Sequence, residues 1–171
     1  LNVPTGQEVY VDGVKVFYFK LSFPARWYNS CDMRKFLAKT IASFDVVHIT
    51  SVFLAESTIG AHYAHKFNKP YVITPHGSFM SAPLSGSHSW LKKIYISLVE
   101  KRNLKSAFLH FTTDAEKNQY FDAGLPRRDI FLIPNALEPE KTIGVAKGGF
   151  RAKIEVNKDA PLILFLGRLA R

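Results

Sequence analysis

The sequence predicts an α/β fold in which a Rossmann-like parallel sheet carries helices on both faces. Short segments rich in β-branched and aromatic residues recur about 20 to 30 residues apart, as strands of such a sheet do. Segments with apolar residues at three-and-four spacing lie between them, which is typical of helices packed on a sheet. Turn and capping residues separate the two kinds of segment, so strand and helix alternate along most of the chain.

The predicted elements follow one another in a regular order. The strands are residues 14–21, 46–49, 71–74, 108–112, 130–133 and 162–166. The helices are residues 30–44, 55–67, 90–104, 113–123 and 150–156. Asn29 is expected to cap the first helix. Thr113 and Glu116 form a predicted capping box at the start of the fourth, and Gly124 ends it.

Residues 70–77 are the most informative part of the sequence. Their apolar residues predict a short buried strand that stops at Pro75, because proline cannot donate to a sheet ladder. His76 and Gly77 then lie on the loop at the carboxyl end of that strand, where open parallel sheets bind ligands. Histidine can hydrogen-bond a ligand and glycine lets backbone approach one, so both are candidate site residues. A structural loop histidine is the alternative for His76.

The chain is basic, with 23 Lys and Arg against 14 Asp and Glu and a net charge of +9. This charge fits an anionic partner, either nucleic acid, a membrane surface or a phosphorylated small molecule. The basic residues between Lys92 and Lys105 predict a helix that either rests on an anionic membrane or is an ordinary surface helix. No RNA-binding signature is present, so the leading interpretation has no nucleic-acid partner.

The sequence indicates a cytoplasmic protein. Its longest apolar run, residues 162–166, is far too short to span a bilayer, and no signal peptide is visible. Cys31 is the single cysteine, which fits a reducing compartment. His62 and His65 share one helix but lack further ligands nearby, so no metal site is predicted.

Several segments in series resemble the N-terminal domain of family-4 glycosyltransferases of the GT-B fold. The most specific are Asp-Val-Val-His at residues 45–48, Thr-Pro-His-Gly at 74–77, Ile-Pro-Asn at 133–135 and Phe-Leu-Gly-Arg-Leu at 165–169. Residues 11–16, 100–102 and 112–116 also match. The resemblance covers nearly the whole chain in the family's order.

The resemblance implies the N-terminal half of a two-domain GT-B enzyme, truncated at both ends. Residues 1–137 would form the acceptor-side Rossmann-like domain, with the family's first strand missing. Residues 138–160 would form a linker with a short helix, and residues 161–171 the first strand of the nucleotide-sugar domain. A fragment of this kind is expected to be inactive alone.

The resemblance also implies the activity. Such enzymes transfer a hexose from a nucleotide sugar, here a UDP- or GDP-sugar, to a glycan or lipid-linked acceptor. They retain the anomeric configuration and use no metal or other cofactor. The expected products are polysaccharides or glycolipids, made in the cytoplasm or at the inner face of the membrane.

The resemblance assigns candidate roles to individual residues. His76 matches the family's cleft histidine, which contacts the donor sugar, and is the candidate catalytic residue. Arg168 matches the arginine that grips the diphosphate, and Gly77 is the second candidate for donor binding. An ordinary surface arginine is the alternative for Arg168.

The acceptor side is expected to be lined by Arg26, His48 and Ser51. His48 lies in a predicted buried strand, so a core or cleft-wall histidine is the alternative for it. Two departures from the family pattern are Thr50, where many members have a second histidine, and Ala136, where they often have glycine.

Two other functions remain open from the sequence. One is a non-catalytic basic domain that binds nucleic acid or an anionic membrane surface, which would show steeply salt-dependent binding. The other is a different enzyme of the same architecture, which would share the cleft but form different products.

Overall fold

The computed structural model describes residues 3–79, 94, 96–136, 138, 144, 149–157 and 159–165, apart from the side chains of residues 26, 96 and 97. The chain divides into two compact units, Leu1–Asn135 and Ala136–Arg171. The first unit holds a two-stranded antiparallel sheet and a four-stranded parallel sheet.

The first unit begins with a β-hairpin. β1 (Glu8–Val11) pairs antiparallel with β2 (Val14–Phe17), and the turn between them consists of Asp12 and Gly13. Both turn residues have positive φ, 49° at Asp12 and 79° at Gly13, as a two-residue hairpin turn requires. The predicted strand over residues 14–21 is therefore too long. The strand that does form, β2, pairs with β1 and does not belong to the parallel sheet.

A 3-10 helix, Ala25–Trp27, and α1 (Cys31–Thr40) follow the hairpin. Ser30 caps α1, because its Oγ accepts a 3.2 Å hydrogen bond from the amide of Met33. Asn29, which the sequence predicts as the cap, lies one residue too early. Its side-chain amide instead donates to a backbone carbonyl of the preceding loop at 2.9 Å.

Four parallel strands form the central sheet. In their order across the sheet they are β3 (Val47–Thr50), β4 (Tyr71–Thr74), β5 (Phe108–Phe111) and β6 (Ile130–Leu132). Strands that follow one another in the chain are also neighbours in the sheet, and all three pairs are parallel. The predicted α/β fold, a Rossmann-like parallel sheet flanked by helices, is confirmed.

The connections between these strands contain α2 (Ala55–Lys66), α3 (Lys101–Lys105) and α4 (Asp114–Asp122). A π-helical turn, Ile96–Glu100, leads into α3. Each helix contributes to one hydrophobic core on the sheet. The core contains Ala61 and Ala64 from α2, Leu104 from α3 and Tyr120 from α4, with Ile49, Ile73, Leu109 and Phe111 from the strands. Over the ranges that the structure describes, no helix is long and apolar enough to cross a membrane.

The opposite face of the sheet carries polar side chains. Strand alternation and the register place His48, Thr74 and His110 on this face. Thr74 is fully buried, whereas His48 is exposed. The expectation that His48 lies in a buried strand is therefore wrong, because β3 lies at the edge of the described sheet.

The described part of the second unit contains α5 (Gly149–Lys153). Arg151 stabilises the turn that follows it, since its guanidinium donates to the carbonyls of Asn157 and Ala160 at 3.0 and 2.7 Å. Residues 161–165 form no strand, because no described segment pairs with them, and Ile163 is 97% exposed. The predicted division at residues 137 and 160, with a further domain beginning at 161, stays a prediction.

Replacing Leu109 by alanine is expected to lower the free energy of unfolding by about 2–5 kcal/mol, because it opens a cavity in the core. Leu109 is 0% exposed on a central strand. Leu132→Ala on β6 is the matched control, since Leu132 is 42% exposed, and its expected cost is below about 1 kcal/mol. Urea unfolding measures both, and equal costs would contradict the assigned core.

Candidate functional site

The loops after β3, β4 and β5 meet at one edge of the sheet, because the carboxyl ends of parallel strands lie together. The register places Thr50 beside Thr74. The amide of Ser51 continues the ladder by donating to the Thr74 carbonyl at 2.9 Å. The edge formed by residues 51–53, 75–78 and 112–113 is the candidate functional site.

The loop after β4 holds His76 in an uncommon backbone conformation. His76 has a φ of 49° and Gly77 a φ of 74°, so two successive residues are left-handed. This conformation suits glycine but is costly for a residue with a Cβ atom. Ser78 closes the turn, since its amide and its hydroxyl donate to the Pro75 carbonyl at 3.2 and 2.6 Å. The His76 side chain is exposed and accessible to a ligand.

The carboxylate of Glu116 holds this loop from the side of the protein. Its Oε1 accepts a 2.7 Å hydrogen bond from the amide of Gly77. Its Oε2 accepts from the amide and the hydroxyl of Thr112, both at 3.0 Å. Glu116 is 5% exposed, so these are buried, charge-assisted bonds that join the β4 loop to the end of β5.

A second buried carboxylate holds the loop after β3 in a similar way. Glu100 Oε1 accepts a 2.9 Å hydrogen bond from the amide of Phe53, and Glu100 is 1% exposed. Burial raises the pKa of the Glu100 carboxyl, and the Phe53 amide and the Asn103 side chain oppose that rise. The loop contains two more left-handed residues, Ser51 with a φ of 75° and Phe53 with a φ of 65°.

A chain of side-chain hydrogen bonds crosses the sheet from β3 towards β6. His48 Nε2 lies 2.8 Å from Thr74 Oγ1, which lies 2.9 Å from His110 Nδ1. His110 Nε2 lies 2.9 Å from the carbonyl of Ile133. Because a carbonyl only accepts, His110 Nε2 donates to it, and a neutral His110 then accepts from Thr74 at Nδ1. Thr74 therefore accepts from His48, so both neutral imidazoles carry their proton on Nε2.

The two imidazoles line a groove of about 320 Å³ on the sheet face, together with Val72, Phe131 and Ile133. This groove lies on the sheet face beside the carboxyl ends of the strands, since His48 contacts Thr74 at the end of β4 and Ile133 directly follows β6. His48 precedes Ser51 by three residues, which corresponds to about 10 Å along an extended strand. The structure thus brings Ser51, His76 and Gly77 to one edge and places His48 on the neighbouring face.

Two predicted site residues are described only in part or not at all. Arg26 belongs to the 3-10 helix Ala25–Trp27, and its side chain lies outside the described residues. Arg168 also lies outside the described residues. Across the described ranges, no group of three or more His, Cys, Asp or Glu side chains could hold a metal ion.

Sequence reasoning missed the role of both buried carboxylates. The predicted capping box is half correct, since Thr113 Oγ1 accepts from the Glu116 amide at 3.2 Å. The Glu116 carboxylate does not return to the Thr113 amide but binds Thr112 and Gly77. Gly77 is 39 residues away along the chain, so no local pattern points to that bond. Glu100 belongs to a matching family segment, but nothing in that segment indicates its contact with Phe53.

A parallel sheet with exposed loops at its carboxyl edge is the architecture of α/β proteins, which commonly bind ligands at that edge. The chain matches the family model of Glycosyltransferase Family 4 over residues 2–141, and it belongs to that family. The resemblance seen in the motifs is therefore confirmed, and the substrates are a sugar donor and an acceptor. No curated protein and no solved structure matches the chain.

The stability of the fold is expected to depend on pH through Glu100. Its pKa in the folded state is raised above the ordinary value of 4.5, so the folded protein binds more protons than the unfolded chain above that pH. Glu100 therefore contributes stability that is present below pH 4.5 and is lost as the pH rises through the folded pKa.

The variant Glu100→Gln keeps an oxygen for the Phe53 amide and removes the buried charge. Between pH 4.5 and pH 8, the free energy of unfolding of this variant should rise relative to that of the unchanged protein. The reason is that only the unchanged protein loses stability as the Glu100 carboxyl deprotonates. Glu56→Gln is a control from a more exposed position on α2, with a smaller expected change. Urea unfolding at both pH values measures the difference, and a Glu100→Gln effect that is the same at both would contradict this account.

Proposed function

We propose that this chain is the acceptor-side domain of a retaining glycosyltransferase that moves a hexosyl group from a UDP- or GDP-sugar to a glycan or lipid-linked acceptor. The products are polysaccharides or glycolipids, and the reaction uses no metal or other cofactor. The observation that supports this most is the exposed His76, held on a fixed turn at the carboxyl edge of the parallel sheet in a family-4 domain.

His76 is proposed to hydrogen-bond the donor sugar. Its backbone is fixed by the Ser78 and Gly77 contacts, so its imidazole approaches the ligand from a defined direction. Gly77 is proposed to leave room for the nucleotide sugar, because it has no side chain. Its amide is not free to hydrogen-bond the sugar, since it already donates to Glu116. Arg168 is proposed to bind the diphosphate, since guanidinium forms paired hydrogen bonds with phosphate oxygens.

The chemical step needs no nucleophile from the protein. The bond between the anomeric carbon and the β-phosphate oxygen breaks, and the acceptor oxygen bonds to the same face of that carbon. The proton of the acceptor hydroxyl passes to an oxygen of the departing phosphate, so the nucleoside diphosphate leaves in its protonated form. Arg168 stabilises the charge that develops on the phosphate during this step.

The acceptor is proposed to bind on the side of Ser51, His48 and Arg26. Ser51 supports this best, since it lies at the same edge as His76. Trp27 and Tyr28 directly follow Arg26 in the sequence and are 60% and 53% exposed, which suits stacking on the apolar face of a sugar ring.

The protein is proposed to act in the cytoplasm, with peripheral contact to the inner face of the membrane. The exposed side chains of Lys101, Arg102 and Lys105 on α3 support this, because they carry positive charge suited to anionic lipids. Such contact would bring a lipid-linked acceptor to the enzyme. No nucleic-acid partner is proposed.

The proposal is tested with the full-length enzyme and a panel of UDP- and GDP-sugars, with nucleotide release as the signal. One donor should release nucleotide in the presence of a glycan or lipid-linked acceptor. His76→Ala should lower turnover by about 10²–10³-fold, by analogy with the removal of one positioned donor at an oxyanion site.

His62→Ala is the matched control, since His62 is an exposed histidine on α2 with no proposed role. It should leave turnover unchanged. A folded His76→Ala enzyme with full turnover would remove His76 from the mechanism, and steeply salt-dependent binding of arbitrary nucleic acid without nucleotide release would contradict the proposed function.

A further inference from the structure

We infer that Glu116 is a positioning residue for glycosyl transfer, which acts by fixing the Pro75–Gly77 turn and hence the place of the His76 imidazole. This inference depends on the proposed role of His76 in the transferase reaction. Glu116 does not touch the substrate, because it is 5% exposed and both of its carboxylate oxygens accept hydrogen bonds within the protein.

The turn needs such a partner because of its backbone geometry. His76 has a φ of 49°, which an L-residue rarely adopts unless its surroundings enforce it. The Ser78 bonds to the Pro75 carbonyl close the turn upon itself but do not tie it to the rest of the molecule. The 2.7 Å bond from the Gly77 amide to Glu116 supplies that tie.

The other carboxylate oxygen connects the turn to the core of the sheet. Oε2 accepts from both the amide and the hydroxyl of Thr112, directly after the fully buried Phe111. The Glu116 backbone is fixed in turn, since its amide donates to Thr113 Oγ1. The position of Gly77 is therefore set by β5 and by the first turn of α4, two elements that are well anchored in the core.

Only a carboxylate of this length satisfies all three donors. Aspartate is one methylene shorter and cannot span the same distance from α4. Glutamine keeps the length but replaces one oxygen with an amide group, which would face the Gly77 amide or the Thr112 amide, donor against donor. Glu116→Gln therefore removes the hydrogen bond to one of these two amides with little change in the shape of the side chain.

The neighbouring loop supports this view through an independent contact. Glu100, from the connection between β4 and β5, accepts the Phe53 amide after β3, and Phe53 has a φ of 65°. In each of two adjacent loops at the same edge, a buried carboxylate therefore accepts a hydrogen bond from the backbone amide of a residue with positive φ.

The test uses the full-length enzyme with its active donor and acceptor, in a cycle of Glu116→Gln, His76→Ala and the double variant. Glu116→Gln should lower kcat by about 10- to 100-fold, as small misplacements of a catalytic group do, with little change in KM. In the His76→Ala background the same substitution should have almost no further effect on kcat. Amide hydrogen exchange of Gly77 should become faster in Glu116→Gln.

Asp114→Asn is the matched control, since Asp114 is an exposed acid in the same first turn of α4, paired with Lys117. It should leave kcat and Gly77 exchange unchanged. If Glu116→Gln does not fold, Thr112→Val removes only the hydroxyl contact and should give a smaller fall in kcat that also disappears in the His76→Ala background.

The possible results separate the failure of this inference from the failure of the proposed function. Turnover that falls equally in both backgrounds would show that Glu116 does not act through His76. Unchanged kcat despite faster Gly77 exchange would show that the turn need not be fixed. An enzyme that is inactive with every donor would contradict the proposed function itself, whereas an active enzyme insensitive to Glu116→Gln would contradict this inference alone.

Discussion

Two buried carboxylates determine the shape of the loop edge in this domain. Glu100 binds the amide of Phe53 and Glu116 binds the amide of Gly77, each at a backbone position that the adjacent strand alone would not fix. Both loops contain residues other than glycine at positive φ, so both need stabilising contacts that offset the backbone strain. A charged acceptor in a water-poor environment forms stronger hydrogen bonds than a neutral one, which suits it to this task.

This arrangement separates the scaffold from the surface that meets the ligand. The carboxylates are buried, whereas the side chain of His76 is exposed to solvent. The core of α2, α3 and α4 against the sheet positions Glu100 and Glu116, and they position the loops. Glycosyl transfer depends on the orientation of two substrates, so a rigid loop edge suits a family-4 glycosyltransferase.

The sequence predicts the parallel sheet well, because buried strands and amphipathic helices have distinct periods. Its errors arise where a local signal competes with the period. Asp12-Gly13 is a hairpin turn that pairs the first predicted strand with β1 instead of the parallel sheet, and Ser30 rather than Asn29 caps α1. His76 at the edge follows from Pro75 and the strand before it. The Glu116–Gly77 bond could not be predicted, because it joins residues 39 positions apart and depends on packing.

The most direct test of this account is a crystal structure of the full-length enzyme with its nucleotide-sugar donor bound. We expect the imidazole of His76 within hydrogen-bond distance of a sugar hydroxyl or a phosphate oxygen, about 2.6–3.2 Å. The Glu116 carboxylate should still accept the Gly77 amide and make no contact with the donor. A donor bound away from residues 75–78, or a ligand bound directly by Glu116, would contradict the account.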